Sequence, residues 1–285
     1  LDSFKCFHIP GLKTVGLLGG GVIGGAWAAR FVLNGVDVKL YDIDPQATRK
    51  MNEIMTNARR AYSKLTLAPL PKEGTITFAT SVEDAVTGVD FVQESLPERL
   101  ELKQKVLAQA SKAAAPDTVF GSSTSGLLPT EIQRDMVNPE RFVVGHPFNP
   151  VYLMPLVEIC GGDRTSQATK DRAREVYTYI GIQPLMLQKE IDGFIADRLM
   201  EALWREKRAM MEFAKNEARF RSTFEQAAVV TMDGVGEWAT SSIVTLNSRF
   251  SPSCSAFAWT AVLVSASMRK TSATLAWGSS RVRIM

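Results

Sequence analysis

The chain has 285 residues, 45% of them hydrophobic, enough to bury one large core or two modest ones. Its 33 basic and 30 acidic residues leave a net charge of +3 with no block of like sign, which excludes a dedicated nucleic-acid surface and a charged tail. Cys6, Cys160 and Cys254 are far apart and never in Cys-x-x-Cys spacing, so neither a disulfide framework nor a metal site is expected. No apolar run approaches the roughly 20 residues of a membrane span, and residues 1–10 lack the basic-then-apolar layout of a secretory leader. A cytoplasmic protein whose N-terminus has been trimmed to Leu1 is the expectation.

From Lys13 onward, short apolar runs alternate with amphipathic stretches. The expected strands are Thr14–Leu18, Val36–Tyr41, Thr75–Ala79, Asp90–Gln93, Thr118–Gly121, Arg141–Val144, Leu156–Ile159 and Gln183–Leu187. Most are continuously apolar, as strands buried on both faces should be. Helix punctuation lies between them. Asn34-Gly35 is a left-handed stop to the first helix, Asp44-Pro45 an N-cap with proline at the first helical position, and Ser81 to Asp84 has capping-box spacing. This alternation predicts an α/β fold with a parallel sheet over residues 1–190. After Gly193 the period lengthens (Phe194, Leu199, Leu203, Met210, Phe213), predicting a second, smaller all-α domain over 191–285 that supplies substrate and dimer contacts. Beyond about residue 217, serine and threonine crowd the chain and no period can be followed.

The first turn carries the most specific signal. Gly19-Gly20-Gly21-Val22-Ile23-Gly24 satisfies Gly-x-Gly-x-x-Gly, follows an expected strand and runs straight into an expected helix. Gly19 permits the tight turn, Gly21 lets backbone approach a pyrophosphate, and Gly24 lets helix pack on strand. The phosphates would rest on the unpaired amides of the helix N-terminus. Asp42 ends the second strand about 20 residues on, where an acid accepts from ribose hydroxyls and repels a 2′-phosphate. These features predict a doubly wound, Rossmann-type sheet that binds NAD.

A hydride acceptor needs a partner that removes a proton from the substrate hydroxyl, and imidazole is the usual group. Of the two histidines, His8 lies in a leader before the first strand and reads as a solvated surface residue. His146 follows an apolar strand in Gly145-His-Pro-Phe-Asn-Pro150, at the carboxyl end where open sheets bind ligands. Glu158 sits within the apolar run Leu156–Ile159, where a lone charge is costly unless paired. A carboxylate on one imidazole nitrogen would set the tautomer and support the imidazolium, so His146 and Glu158 are the candidate dyad.

Over residues 13–206 the chain resembles the 3-hydroxyacyl-CoA dehydrogenase superfamily. The glycine loop, Glu94-Ser-Leu-Pro-Glu98, Ser122-Ser-Thr-Ser-Gly126, His146-Pro-Phe-Asn-Pro150, Glu158 and Gly193-Phe-Ile-Ala-Asp197 occur in its order and at about its spacing. The resemblance implies His146 as general base with Glu158 as partner, Ser125 donating to the substrate hydroxyl, and Glu98 with Lys103 at the nicotinamide end. It also implies a helical domain that closes the substrate cleft and forms a homodimer. Asp197 stands where acyl-CoA enzymes usually carry Asn. The wording of residues 98–103, 122–129, 147–153 and 196–206 is similar to the branch that oxidises L-carnitine at its 3-hydroxyl. Carnitine bears a trimethylammonium group, which aromatic faces and a carboxylate can hold. Phe148, Tyr152, Trp204 and Asp197, with Asn149, are the candidate substrate contacts. The resemblance leaves two alternatives open: a 3-hydroxyacyl-CoA substrate, or a non-catalytic relative such as the lens lambda-crystallins.

Overall fold

A computed structural model describes residues 12–65 and 69–216, with four short strands beyond them. His8 and the C-terminal stretch in which no period could be followed lie outside the described residues, those strands excepted. The chain divides into two compact units, Leu1–Leu199 and Met200–Met285.

The first unit is built on an eight-stranded sheet: β1 (Thr14–Leu18), β2 (Asp37–Tyr41), β3 (Ile76–Phe78), β4 (Phe91–Glu94), β5 (Val119–Ser122), β6 (Phe142–Pro147), β7 (Leu156–Cys160) and β8 (Gln183–Met186). Its spatial order is β3-β2-β1-β4-β5-β6-β7-β8. The order reverses between β1 and β4, the crevice where open α/β sheets bind ligands. All eight expected strands are present, most of them shifted at an end by one or more residues. The sheet departs from an all-parallel arrangement in one place: β7 runs antiparallel to β6, and β8 then follows β7 in parallel. Only a short connection joins β6 to β7, too short for a helical crossover, so the chain must turn back on itself.

The helices are α1 (Val22–Leu33), α2 (Ala47–Leu65), α3 (Val82–Val86), α4 (Leu100–Ala113), α5 (Pro129–Ile132), α6 (Gln167–Tyr179) and α7 (Ala196–Asn216). Trp27 and Phe31 of α1 and Tyr177 of α6 anchor one core layer; Leu107 of α4 packs with Leu18, Phe120 and Phe142 in the other. Helix α1 is apolar nearly all round and almost wholly buried, as an inner helix of such a layer must be.

Local signals hold with small displacements. Gly35 (φ 82°) ends α1: its amide donates to the Val32 carbonyl and that of Val36 to Phe31, the paired bonds of a Schellman stop. Ser81 accepts from the Asp84 amide, but the Asp84 carboxylate reaches back to the Thr80 amide, one residue before the expected partner. Asp44 accepts from the Gln46 amide, yet regular α-helix begins only at Ala47; Asp44-Pro45 forms a turn that leads into α2.

In the second unit the described elements are the continuation of α7 and two antiparallel strand pairs, Thr231–Met232 with Trp238–Ala239 and Ala273–Trp277 with Ser280–Ile284. The sequence does not anticipate these strands. Leu199, Leu203 and Met210, whose spacing predicts α7, are exposed on it.

Candidate active site

The crevice between β1 and β4 begins at the glycine loop. Gly19 has φ 95°, and a Cβ on Gly24 would stand 1.9 Å from the Gly19 carbonyl oxygen, so only glycine lets α1 start this close to the turn. Gly21 is the N-cap of α1 and has no side chain to satisfy the first amides, and a Cβ there would meet nothing within 4 Å. Unpaired amides thus face open space, the anion site of a helix N-terminus. Beside them, Asp42 is held by the Gly20 amide at 2.5 Å on Oδ2 and the Asp44 amide at 2.7 Å on Oδ1. Each oxygen keeps a lone pair for ribose hydroxyls. Loop, helix and acid together fit a dinucleotide whose ribose is unphosphorylated.

The chemistry-bearing end lies on β6 and β7. Their antiparallel register sets His146 opposite Glu158, and the side chains meet at 2.8 Å between Nδ1 and Oε2. Both are buried, His146 at 7% exposure and Glu158 at 1%. The other carboxylate oxygen accepts from the amides of Ile195 (2.9 Å) and Ala196 (3.1 Å), where α7 begins. Three donors satisfy a carboxylate that burial would otherwise penalise heavily. In a neutral imidazole, the carboxylate at Nδ1 favours the tautomer with its hydrogen there and a lone pair on Nε2. Phe148 and Phe194 flank the ring at 5.6 and 5.5 Å between centroids. Phe194 is fully buried in the left-handed region (φ 47°), a conformation that costs about 1–2 kcal/mol and is held by the packing.

A second network lies at the carboxyl ends of β4 and β5. Glu98 accepts from the Thr124 hydroxyl and from the amides of Ser125 (2.9 Å) and Gly126 (3.1 Å), so it shapes the loop that presents Ser125. Burial opposes its ionisation, but the Thr124 bond, the Lys103 ammonium and the two amides outweigh burial and hold it below the usual carboxylate range. Ser125 is exposed, and its hydroxyl makes no hydrogen bond among the described residues. Lys103 is not a surface cation. It is 1% exposed, and its ammonium meets Glu94 (2.8 Å), the Leu96 carbonyl (3.1 Å) and Glu98 (3.3 Å).

Asp197 is half-buried in the first turn of α7. Burial raises its pKa, as do Glu158 and Glu98, while His146 opposes the rise. Asn149 is half-buried just past β6, and its side chain has no hydrogen-bond partner among the described residues. Tyr152 is half-buried: it packs against the core layer that includes Trp27, and its carbonyl accepts from Arg30. Trp204 belongs to the second unit. Expectation had not singled out Glu94 or Phe194. Glu94 is wholly buried, bonded to Lys103 and Ser122; the signal available was a carboxylate ending an apolar strand, the same one that marks Glu158. Phe194 enters the sequence reading in a helical period and in the Gly193–Asp197 motif, not as a neighbour of His146. No His, Cys, Asp or Glu cluster suited to a metal is found among the described residues, and no helix among them is long and apolar enough to cross a membrane.

A doubly wound sheet with a glycine loop, an acid closing β2 and a His–Glu pair beside the crevice defines a dinucleotide-binding protein of the dehydrogenase type. Residues 14–191 match the family pattern of the 3-hydroxyacyl-CoA dehydrogenase NAD-binding domain. The chain belongs to the 3-hydroxyacyl-CoA dehydrogenase family and carries its NAD-binding domain. It is 57% identical over 189 residues to an L-carnitine dehydrogenase/betainyl-CoA thioesterase of Rhizobium sp, a match covering 66% of this chain and 38% of the relative. It is 54% identical over 196 residues to an L-carnitine dehydrogenase of Mesorhizobium japonicum, covering 68% and 54% respectively. Among solved structures it resembles an NAD-dependent pyridine carboxylic acid 5-dehydrogenase, with a TM-score of 0.66 and 32% identity over 70% of this chain and 65% of that one. It also resembles 3-hydroxybutyryl-CoA dehydrogenase of Escherichia coli K12, with a TM-score of 0.63 and 27% identity over 72% and 44%. The chain spans about half or less of the length of these two carnitine dehydrogenase relatives.

Proposed function

We propose that the chain is an NAD-dependent dehydrogenase that oxidises the 3-hydroxyl of L-carnitine to 3-dehydrocarnitine. The observation that carries the chemistry is the buried His146–Glu158 pair at 2.8 Å, with Nε2 left to accept a proton. The carnitine assignment draws its support from relatives at 57 and 54% identity that bear that name. The glycine loop and Asp42 would hold the pyrophosphate and ribose of NAD, which would supply the hydride acceptor. The protein's own residues do the rest. Nε2 of His146 takes the hydroxyl proton as the C3 hydride leaves, and Glu158 stabilises the imidazolium that results. Ser125, held by Glu98 through its amide, donates to the reacting oxygen. Lys103 fixes Glu98 in turn and acts as a positioning residue. Asp197 and Phe148 flank the space beside His146 and offer a carboxylate and an aromatic face to a quaternary ammonium. Asn149, Tyr152 and Trp204 complete the proposed substrate contacts. Residues 1–190 form the cofactor domain, residues 191–285 contribute to substrate binding and dimerisation, and the working protein is a cytoplasmic homodimer.

The test is NADH formation from L-carnitine by the purified protein, beside NADH oxidation with acetoacetyl-CoA. Turnover of carnitine alone is expected. Turnover of the CoA ester alone moves the substrate to a 3-hydroxyacyl-CoA, and silence on both with intact NADH binding indicates a non-catalytic relative. His146→Ala should lower kcat by about 100-fold or more while leaving NADH affinity nearly unchanged, because the general base acts on the transition state. Near-normal turnover would remove His146 from the mechanism.

A further inference from the structure

Behind the crevice runs a buried polar chain that neither the dyad nor the Glu98 network uses. Tyr177 Oη meets Gln93 Oε1 at 2.7 Å, and Gln93 Nε2 meets Ser123 Oγ at 2.8 Å. Trp27 Nε1 also reaches Ser123 Oγ, at 3.0 Å, and Ser123 Oγ lies 2.9 Å from Ser95 Oγ. The direction of each bond in this chain follows from counting donors and acceptors. Tyr177 is fully buried, burial pushes its phenol pKa well up so that it keeps its proton, and Gln93 is its only hydrogen-bond partner among the described residues. The phenol must therefore donate to the Gln93 carbonyl, which turns the Gln93 amide toward Ser123. Indole N–H can only donate. Ser123 thus accepts from both Gln93 and Trp27, which fills its two lone pairs, and its own hydrogen goes to Ser95. Ser95 accepts that bond and is left with an O–H for which the described residues offer no acceptor.

The placement of that free donor is specific. Ser95 follows β4 directly, its amide bonded to the Leu18 carbonyl at the end of β1, so it stands where the strand order reverses. A Cβ on Gly24 would lie 3.2 Å from the Ser95 Cβ, and one on Gly19 would lie 2.7 Å from the Ser95 carbonyl oxygen. Ser95 is half-exposed against the glycine loop and the first turn of α1, whose amides are also uncapped. Aligned hydrogen bonds polarise one another, so the relay strengthens the last donor in the series.

We propose that Ser95 is a dinucleotide-binding residue, whose hydroxyl, aimed by the Tyr177–Gln93–Ser123 relay, donates a hydrogen bond to a sugar–phosphate oxygen of NAD over the glycine loop. Ser123, Gln93 and Tyr177 are positioning residues that act through it. The inference rests on the dinucleotide reading of the crevice and adds a side-chain donor to a site otherwise built from backbone amides and Asp42.

The test is an NADH fluorescence titration of the wild type and of Ser95→Ala, Ser95→Cys and Tyr177→Phe. Loss of one neutral hydrogen bond should raise the NADH Kd of Ser95→Ala by about 3- to 10-fold, with Ser95→Cys in between because a thiol donates weakly. Tyr177→Phe removes the group that fixes Gln93. The amide can then turn over, accept from Ser123 and draw the Ser95 hydrogen inward, so affinity should fall by a smaller factor. That second loss should vanish when Tyr177→Phe is combined with Ser95→Ala, which a packing defect at either site would not produce. NADH binding by Ser95→Ala or, should that variant not fold, by Ser95→Cys at wild-type affinity overturns the inference. So does full additivity in the double variant. A wild-type protein that does not bind NADH removes the dinucleotide reading itself, and this proposal with it.

Discussion

Two carboxylates show how neighbours assign different work to the same group. Asp42 is oriented by two amides and left with outward lone pairs, so it suits ribose hydroxyls. Asp42→Ala should weaken NADH and relax discrimination against NADPH, since the repulsion of a 2′-phosphate is lost. Unchanged preference in a paired NADH and NADPH titration would move the ribose contact elsewhere. Asp197 is held half-buried beside Glu158 and Glu98 and its pKa is raised, burial being the largest cause. A raised acid pKa means the folded state holds its proton more tightly than the unfolded one. Stability is therefore lost as pH rises from the ordinary aspartate range through the raised value. Asp197→Asn should accordingly raise the melting temperature at neutral pH and lose that advantage in acid, where wild-type Asp197 is protonated. An advantage that persists unchanged at low pH would show that charge is not its source.

Strand β4 ends in a buried polar group, Glu94, and β6 carries another, His146, one residue before its end, and each needs a partner from another element. At β4 the partner of Glu94 is Lys103 on α4, both essentially without solvent exposure. Lys103→Met would leave the buried Glu94 carboxylate without its countercharge, held only by the Ser122 hydroxyl and the Leu96 amide, and should cost about 3–5 kcal/mol in urea unfolding. A loss under about 1 kcal/mol would mean that the Ser122 hydroxyl and the Leu96 amide suffice to hold the carboxylate. Element by element, the sequence was most legible where signals are local. The apolar runs of β1 to β8, the Asn34-Gly35 stop and the Ser81 cap are each fixed by residues within one turn or one strand. Less legible was the start of α2, because Asp44-Pro45 closes a turn as readily as it caps a helix. Tyr152 and Lys103 were legible as residue types but not as placements. Tyr152 packs against a core layer drawn from across the chain, and Lys103 turns inward to meet Glu94 on another element.

At the scale of the molecule, the crevice and the His–Glu pair both belong to the Leu1–Leu199 unit. Ligand that binds only the folded state stabilises it by mass action, so NADH at 100 times its Kd should add about 2.7 kcal/mol to unfolding of that unit. A melt of the protein with and without NADH measures this, and an unmoved transition would count against dinucleotide binding. The matches cover 38% and 54% of the two carnitine dehydrogenase relatives, and after about residue 217 no readable period supports the all-α domain expected over 191–285, where the described elements include two strand pairs.

By itself the sequence determined the alternation of strands and helices, the glycine loop with its acid, and the pairing candidates His146 and Glu158, because each depends on residue type at short spacing. The tertiary structure alone decided the reversal of β7 that brings those two side chains face to face. It also decided the second grip of Glu158 on the start of α7 and the burial of Glu94, Lys103 and Phe194 around the site. Those outcomes depend on which distant surfaces pack together and which buried polar atoms must find partners, and no local pattern encodes either.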